Sequence, residues 1–166
     1  MKIVFLHHAN VFRAGIERML SLKANLLAEQ FGWEVILLTY EQNGAPFPYL
    51  LSSKVKCVDL NVHFFDAYKS AYPIRHFRKL WLRQQLTAAL RRFLGEQRPD
   101  VVVCTDKDAH ELNALFKAHT SETIVVEAHT GMIDHEMQVL RTDSFIRKKI
   151  GQRDLVRLKE AVARFD

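Results

Sequence analysis

The chain has 166 residues, a formal net charge of +5 and an apolar content of 48%. One domain of this length buries roughly 70% of the surface of its unfolded chain, so we expect a sizeable core. No apolar run approaches the ~20 residues of a membrane-spanning helix, and the start does not have the pattern of a signal peptide. We therefore expect a cytoplasmic globular protein in which Cys57 and Cys104 are buried free thiols.

The first 29 residues predict a strand, a turn and a helix. Residues 3–6 form an unbroken apolar run, which is typical of a strand covered on both faces. A polar turn containing Gly15 follows. Ligands of such units bind where the helix begins, so we expect Gly15 to face a ligand, the alternative being a plain tight turn. The spacing predicts an amphipathic helix whose apolar side contains Ile16, Met19, Leu20, Leu22, Leu26 and Leu27.

The rest of the chain continues this alternation. Further strands are predicted at residues 33–39, 55–60, 99–105 and 123–129. Helices are predicted at 74–94, from an Asp108 cap to about residue 119, and from Asp143 or Ser144 to the end. Residues 61–72 are interpreted as an irregular connection. Strands alternating with helices predict an α/β domain, a Rossmann-like parallel sheet with helices on both faces. Because the chain stops at the end of a helix, we expect that it continues into a further strand.

The long helical stretch at residues 74–94 carries two apolar stripes that do not align. Ile74, Phe77, Leu80 and Trp81 share one side, and Leu82, Leu86, Leu90 and Phe93 lie far round from them. One straight helix cannot bury both stripes against one sheet. Either the helix breaks near Leu82, or its first turns cover something other than the core.

The same stretch is strongly basic at its start. Its cations lie opposite the first apolar stripe and are Arg75, Arg78, Lys79 and Arg83. Such a partition is usual for a solvated helix face, and it also fits a helix that lies on an anionic membrane surface. We expect no nucleic-acid partner, because no recognised binding motif accompanies the charge.

Other candidate residues point less clearly to a chemistry. The three-glycine dinucleotide fingerprint is absent, which argues against an epimerase or dehydrogenase that uses a nicotinamide cofactor. Asp106 and Asp108 suit a loop and a helix cap better than a metal site. A metal site could be assembled from His7, His8 and the acidic and histidine residues at 134–136. None of these has a recognised ligand spacing, so we assign no metal. His129 lies at the end of a predicted strand, where it is interpreted either as a plain polar residue or as a residue that contacts a ligand.

Four segments occur in an order that resembles family-4 retaining glycosyltransferases of the GT-B fold. They are Ala14-Gly15-Ile16-Glu17-Arg18, Gly32-Trp33-Glu34-Val35, Arg98-Pro99-Asp100-Val101 and Val126-Glu127-Ala128-His129. The family usually has Gly-Gly-x-Glu-Arg, Gly-His-Glu-Val, Lys/Arg-Pro-Asp-Val and Ser-Glu-His. Ala14 replaces the first glycine of the pair. The final Ala163-Arg164-Phe165-Asp166 is similar to the stretch before the strand that closes the N-terminal domain of these enzymes.

The resemblance implies the acceptor-side half of a two-domain enzyme, truncated before the nucleotide-binding domain. Its substrates would be a nucleotide sugar and a polysaccharide or lipid-linked acceptor, with no cofactor and no metal, in the cytoplasm or at the inner face of the plasma membrane. Ala14 and Gly15 would approach the donor diphosphate, His129 would lie against the donor sugar as the catalytic residue, and Arg13 and Asp106 would bind the acceptor. The alternative is a stand-alone, non-catalytic Rossmann-like binding or regulatory module.

Overall fold

The computed structural model describes residues 1–71, 73–105 and 109–127. The elements in chain order are β1 (Lys2–Leu6), α1 (Gly15–Glu29), β2 (Glu34–Thr39), β3 (Val55–Asp59), a 3₁₀ helix (Phe64–Lys69), α2 (Ile74–Gln97), β4 (Val101–Thr105), α3 (Ala109–Ala118) and β5 (Thr123–Glu127). The strands form one sheet in the order β3-β2-β1-β4-β5, and every neighbouring pair is parallel. The predicted Rossmann-like parallel sheet is confirmed.

Strand β1 is the centre of the sheet. Phe5 is aligned with Leu37 of β2 on one side and with Val103 of β4 on the other. Residues 3–6 are at most 6% exposed, because both faces of β1 are covered by helices. An apolar run without alternation is the pattern that such a doubly covered strand requires.

The two faces of the sheet carry separate hydrophobic cores. Alternate residues of a strand point to opposite faces, so β1 contributes Val4 and Leu6 to one core and Ile3 and Phe5 to the other. The first core is covered by α2 and α3, and the second is covered by α1. The predicted placement of helices on both faces is therefore confirmed.

Helix α1 packs with a side that matches the predicted apolar side only in part: Leu20 is buried, and Ile16 and Leu27 pack against the core. The residues that it buries are Glu17, Leu20, Ser21, Ala24 and Ala28. Met19, Leu22 and Leu26 are 45%, 54% and 44% exposed, so their predicted place in the core is wrong. The buried side is made mostly of small residues, which let the helix axis approach the sheet closely. Hydrophobic spacing cannot distinguish this side from the larger apolar stripe.

Helix α2 is continuous over its 24 residues, so the break near Leu82, one of the two alternatives that the sequence left open, does not occur. Its later turns are buried through Leu82, Leu86, Leu90, Phe93 and Leu94. Its first turns expose Ile74, Phe77, Leu80 and Trp81, which are 63%, 68%, 51% and 53% exposed. The first apolar stripe therefore faces away from the core.

Several smaller predictions also meet the structure. The stretch interpreted as irregular contains the 3₁₀ helix, and Cys57 is exposed, whereas Cys104 is buried as expected. No disulfide joins Cys57 and Cys104. Gly32 has a φ of +63°, as expected for a glycine just after a helix. The Asp108 cap and the last predicted helix lie outside the described residues. Over residues 1–71, 73–105 and 109–127, no helix is long and apolar enough to cross a membrane.

Candidate functional site

The C-terminal edge of the sheet collects the polar residues of the candidate site. All described strands run parallel, so the loops after β1 and β2 emerge at the same edge. Chain segments that lead away from this edge carry a group of buried polar side chains, namely His7, Asn10, Glu17, Glu41, Gln42 and Glu111. Burying polar groups costs free energy unless they are hydrogen-bonded, so their concentration here makes this edge the candidate functional site.

The loop between β1 and α1 is held in place by the side chain of Gln42. The Gln42 Oε1 atom accepts a hydrogen bond from the Asn10 N–H at 2.8 Å, and its Nε2 atom donates to the Asn10 carbonyl at 3.0 Å. The same Nε2 atom donates to the Ala45 carbonyl at 2.8 Å. Gln42 is only 5% exposed. One buried amide therefore links the loop after β1 to the loop after β2.

Helix α1 begins at this edge without a side-chain cap. Its N-cap residue Ala14 is extended, with φ −115° and ψ 177°, and among the described residues no side-chain hydrogen bond caps the helix. The first N–H groups of a helix have no partner within it, and they carry a positive partial charge. A helix start of this kind suits an anionic ligand group.

Gly15, the first residue of α1, has open space beside it. A Cβ atom built at Gly15 would meet no described atom within 4 Å, and Gly15 is not among the residues with positive φ. Neither the backbone conformation nor the packing of the described chain therefore requires glycine here. Gly32, Gly44 and Gly95 have the same open space beside them. The ligand-facing position and the plain tight turn both stay interpretations of Gly15. Arg13 and Ala14 are both exposed next to this point.

A buried acid and a buried histidine lie directly beneath the start of α1. The Oε1 atom of Glu17 is 3.9 Å from the Nε2 atom of His7, and their side chains are 6% and 1% exposed. An acidic residue in the first turn of a helix interacts favourably with the helix dipole. Glu17 therefore lies where it can interact with the positive end of α1, and its Oε2 atom has no hydrogen-bond partner among the described residues.

The side chain of Asn10 is the least satisfied group at this edge. Asn10 is 0% exposed, and neither its Nδ2 nor its Oδ1 atom has a hydrogen-bond partner within the described chain. A buried polar group without a partner costs roughly 1–3 kcal/mol. The loop retains this amide at a cost to stability, close to the point where α1 begins.

Aromatic and imidazole rings continue the site towards α3. The ring centroids of His8 and Tyr40 are 6.2 Å apart, and those of Tyr40 and His110 are 6.5 Å apart. Phe64 of the 3₁₀ helix lies 4.8 Å from His110. Tyr40 and Phe64 are 1% and 9% exposed and belong to the hydrophobic core, so these ring contacts join the core to His8 and His110. His8 and His110 are partly exposed, and their imidazole rings are the groups of this cluster that a ligand could contact.

The sequence predicts only part of this site. Ala14 and Gly15 lie at the start of α1, as the strand–turn–helix pattern predicts, and Arg13 lies beside them. His129 and Asp106 lie outside the described residues, as does the 134–136 segment. Tyr40, Gln42 and His110 were missed, because each becomes relevant only when neighbouring strands are aligned. In the described ranges, no three His, Cys, Asp or Glu residues are grouped so that they could hold a metal ion.

A cavity of about 550 Å³ lies at the other edge of the sheet, where β4 and β5 begin. Its polar wall contains Glu122, whose carboxylate accepts hydrogen bonds from the Thr120 hydroxyl at 2.7 Å and from the Ser121 N–H at 3.0 Å. Burial acts to raise the pKa of Glu122, but these hydrogen bonds outweigh it, and the pKa is lowered. The carboxylate is satisfied by its own loop, so its role here is structural.

No family model matches the chain. No curated protein matches it either.

Proposed function

We propose that this chain is the acceptor-side domain of a retaining glycosyltransferase. The enzyme would move a sugar from a nucleotide-sugar donor to a polysaccharide or lipid-linked acceptor. The observation that carries the proposal is the start of α1, which has no side-chain cap, has open space at Gly15 and lies at the C-terminal edge of a parallel sheet. The order of the sequence segments that resemble family-4 enzymes supports the same function.

The start of α1 fits the chemistry of a diphosphate leaving group. When the bond between the sugar and the phosphate breaks, negative charge develops on the phosphate oxygen. Helix N–H groups aimed at this charge stabilise it more than they stabilise the intact donor, which is what lowers a reaction barrier. In this proposal the Gly15 N–H donates to a phosphate oxygen, and Ala14 lines the same approach.

The remaining groups of the site suit the two sugars. The partly exposed rings of His8 and His110 offer apolar faces and polar edges, and sugars present the same two kinds of surface. Holding acceptor and donor in a fixed orientation removes much of the entropic cost of their reaction. His129 remains the proposed catalytic residue, with Arg13 and Asp106 proposed for acceptor binding.

Replacing Gly15 tests this proposal. Gly15→Val places a branched side chain where the donor diphosphate would lie, so sugar transfer by the full-length protein should fall by at least about 100-fold. The assay follows nucleotide release and acceptor labelling over a panel of nucleotide sugars. Gly95→Val is the matched control, because a Cβ at Gly95 also meets no described atom within 4 Å. It lies in α2, far from the site, and should leave transfer unchanged.

Two results would contradict the proposal. Unchanged transfer by Gly15→Val, with its thermal unfolding also unchanged, would remove α1 from the donor site. Failure of the unmodified full-length protein to use any nucleotide sugar, although it binds one, would favour the stand-alone binding module instead.

A further inference from the structure

We propose that the first half of α2 binds the surface of an anionic lipid membrane. The contact is made by the α2 apolar face, which we define as Ile74, Phe77, Leu80 and Trp81. Each of these side chains is more than half exposed. They share the side of α2 that points away from the core, opposite the buried Leu82, Leu86 and Leu90. The inference goes beyond the proposed function and does not depend on it.

The charges of α2 match an anionic surface. Its residues 74–95 contain six cations and no acidic residue. Two of the cations, Arg75 and Arg78, lie in the first turns, where no acidic residue accompanies them. Cations at a helix start oppose the helix dipole, so helix stability does not account for their presence there. A helix with exposed aromatic and aliphatic residues on one side and cations around them is the pattern of an interfacial membrane helix.

The structure also shows which cations are placed to contact lipid. The Nε atom of Arg75 donates to the Ser70 carbonyl at 3.0 Å, and Arg75 and Lys79 are only half-exposed. Arg78 and Arg83 are exposed, and the Nη1 atom of Arg78 donates to the Ser70 hydroxyl at 3.1 Å at the protein surface. Arg78 and Arg83 are therefore the exposed cations that border the α2 apolar face.

Helix α1 provides a comparison within the same molecule. It too exposes an apolar stripe, formed by Met19, Leu22 and Leu26. Two acids and two cations balance each other in Gly15–Glu29, and no aromatic residue is present. Exposed apolar residues therefore occur on both helices. The excess of positive charge and the aromatic residues occur only on α2, and these are the features that anionic lipid recognises.

The α2 apolar face lies at the same edge of the sheet as the candidate site. Helix α2 follows β3, so it begins at the C-terminal edge and ends near the start of β4. Its 24 residues span about 36 Å, whereas a five-residue strand spans only about 17 Å. The first turns therefore project past the strands, and a membrane bound there would lie beside the site.

A lipid surface explains this face better than a nucleic acid does. Phosphate groups of a nucleic acid would engage the cations, but they offer nothing to four large apolar side chains that are 51% to 68% exposed. The boundary between lipid headgroups and acyl chains accepts both kinds of side chain at once. The apolar and cationic contributions should therefore be separable by mutation.

Vesicle sedimentation of the 166-residue chain tests the proposal. Vesicles of phosphatidylcholine alone are compared with vesicles that also contain about 30% phosphatidylglycerol, at about 0.05 and about 0.5 M salt. We expect binding that needs the anionic lipid and weakens with salt. Each surface cation contributes about fivefold before screening, so Arg78→Gln with Arg83→Gln should lower partitioning about tenfold.

Matched variants separate the apolar part of the contact. Phe77→Ser with Trp81→Ser should lower partitioning by at least about tenfold, because both lose their insertion into the lipid. Met19→Ser with Leu22→Ser removes equally exposed residues from α1 and should leave partitioning unchanged. Circular dichroism checks that every variant retains the helical content of the unmodified chain.

Several results would overturn the proposal. These are equal binding to neutral and anionic vesicles, binding to neither, or a loss of binding in the α1 variant with none in the α2 variants. A fourth is retention on a DNA oligonucleotide that depends on Arg78 and Arg83 but not on Phe77 and Trp81, with no retention on vesicles. That result would assign the basic face to nucleic acid.

Discussion

The two halves of α2 have similar apolar content but opposite relations to the rest of the molecule. The second half buries Leu86 and Leu90 completely, at 0% exposure. The first half leaves Phe77 and Trp81 more than half exposed. Both halves belong to one unbroken helix, so secondary structure is not what separates them. The difference teaches that an apolar stripe becomes part of the core only where the sheet and α3 lie opposite it.

The largest expected effect comes from the buried half. Leu90→Ala removes a completely buried side chain and leaves a cavity, so the free energy of unfolding should fall by about 2–5 kcal/mol. Phe77→Ala removes a larger side chain from the exposed half and should change it by no more than about 0.5 kcal/mol. Urea unfolding of both variants measures the difference. Equal losses would show that the exposed half is packed against the protein in solution.

A second prediction concerns the turn after α3, the helix that the buried half of α2 packs against. Glu122 follows α3, and its carboxylate holds the turn that leads from α3 into β5. Glu122→Gln should cost about 1–3 kcal/mol at neutral pH, because donors in that turn lose a charged acceptor. The same substitution made at exposed Glu34 should cost much less, since its partner Lys2 is only a surface contact.

The cost of Glu122→Gln should depend on pH in one direction. The folded pKa of Glu122 lies below its ordinary value of 4.5, because hydrogen bonds favour the charged form despite burial. Its stabilisation is therefore present above the pKa of the unfolded chain, and it is lost as the pH falls through the folded pKa. The unfolding free energies of variant and parent should converge there. A difference that stays constant down to acid pH would contradict the pKa shift.

The smallest expected effect comes from the start of the exposed half. His76→Glu places an acid in the first turn of α2, where none is present, so it should raise the free energy of unfolding by about 0.3–1 kcal/mol. Thermal unfolding measures the gain, and Gln84→Glu, in the middle of the helix, is the control. The same substitution should weaken vesicle binding. A variant that is less stable than the parent would show that the basic start does not oppose the helix dipole.

The candidate site also has one part that the sequence predicts and another that it does not. The start of α1 was predictable, because a strand, a turn with glycine and an amphipathic helix follow one another in the chain. The two hydrogen bonds between the Gln42 side chain and the Asn10 backbone were not predictable, since they join residues 32 positions apart. The ring contact of Tyr40 with His110 likewise depends on where α3 begins relative to β2. No local pattern carries that information.

The sequence by itself determined the parallel α/β fold, the position of every described strand to within two residues, and the existence of two incompatible stripes on α2. Periodicity and turn residues are local properties of the chain, and these features depend on little else. Only the tertiary structure decided which side of each helix is buried. On α1 it chose the small residues Ala24 and Ala28 over Met19 and Leu22, because a helix packs where its axis can approach the sheet. On α2 it buried the second stripe and exposed the first, because the two stripes lie on opposite sides of one continuous helix.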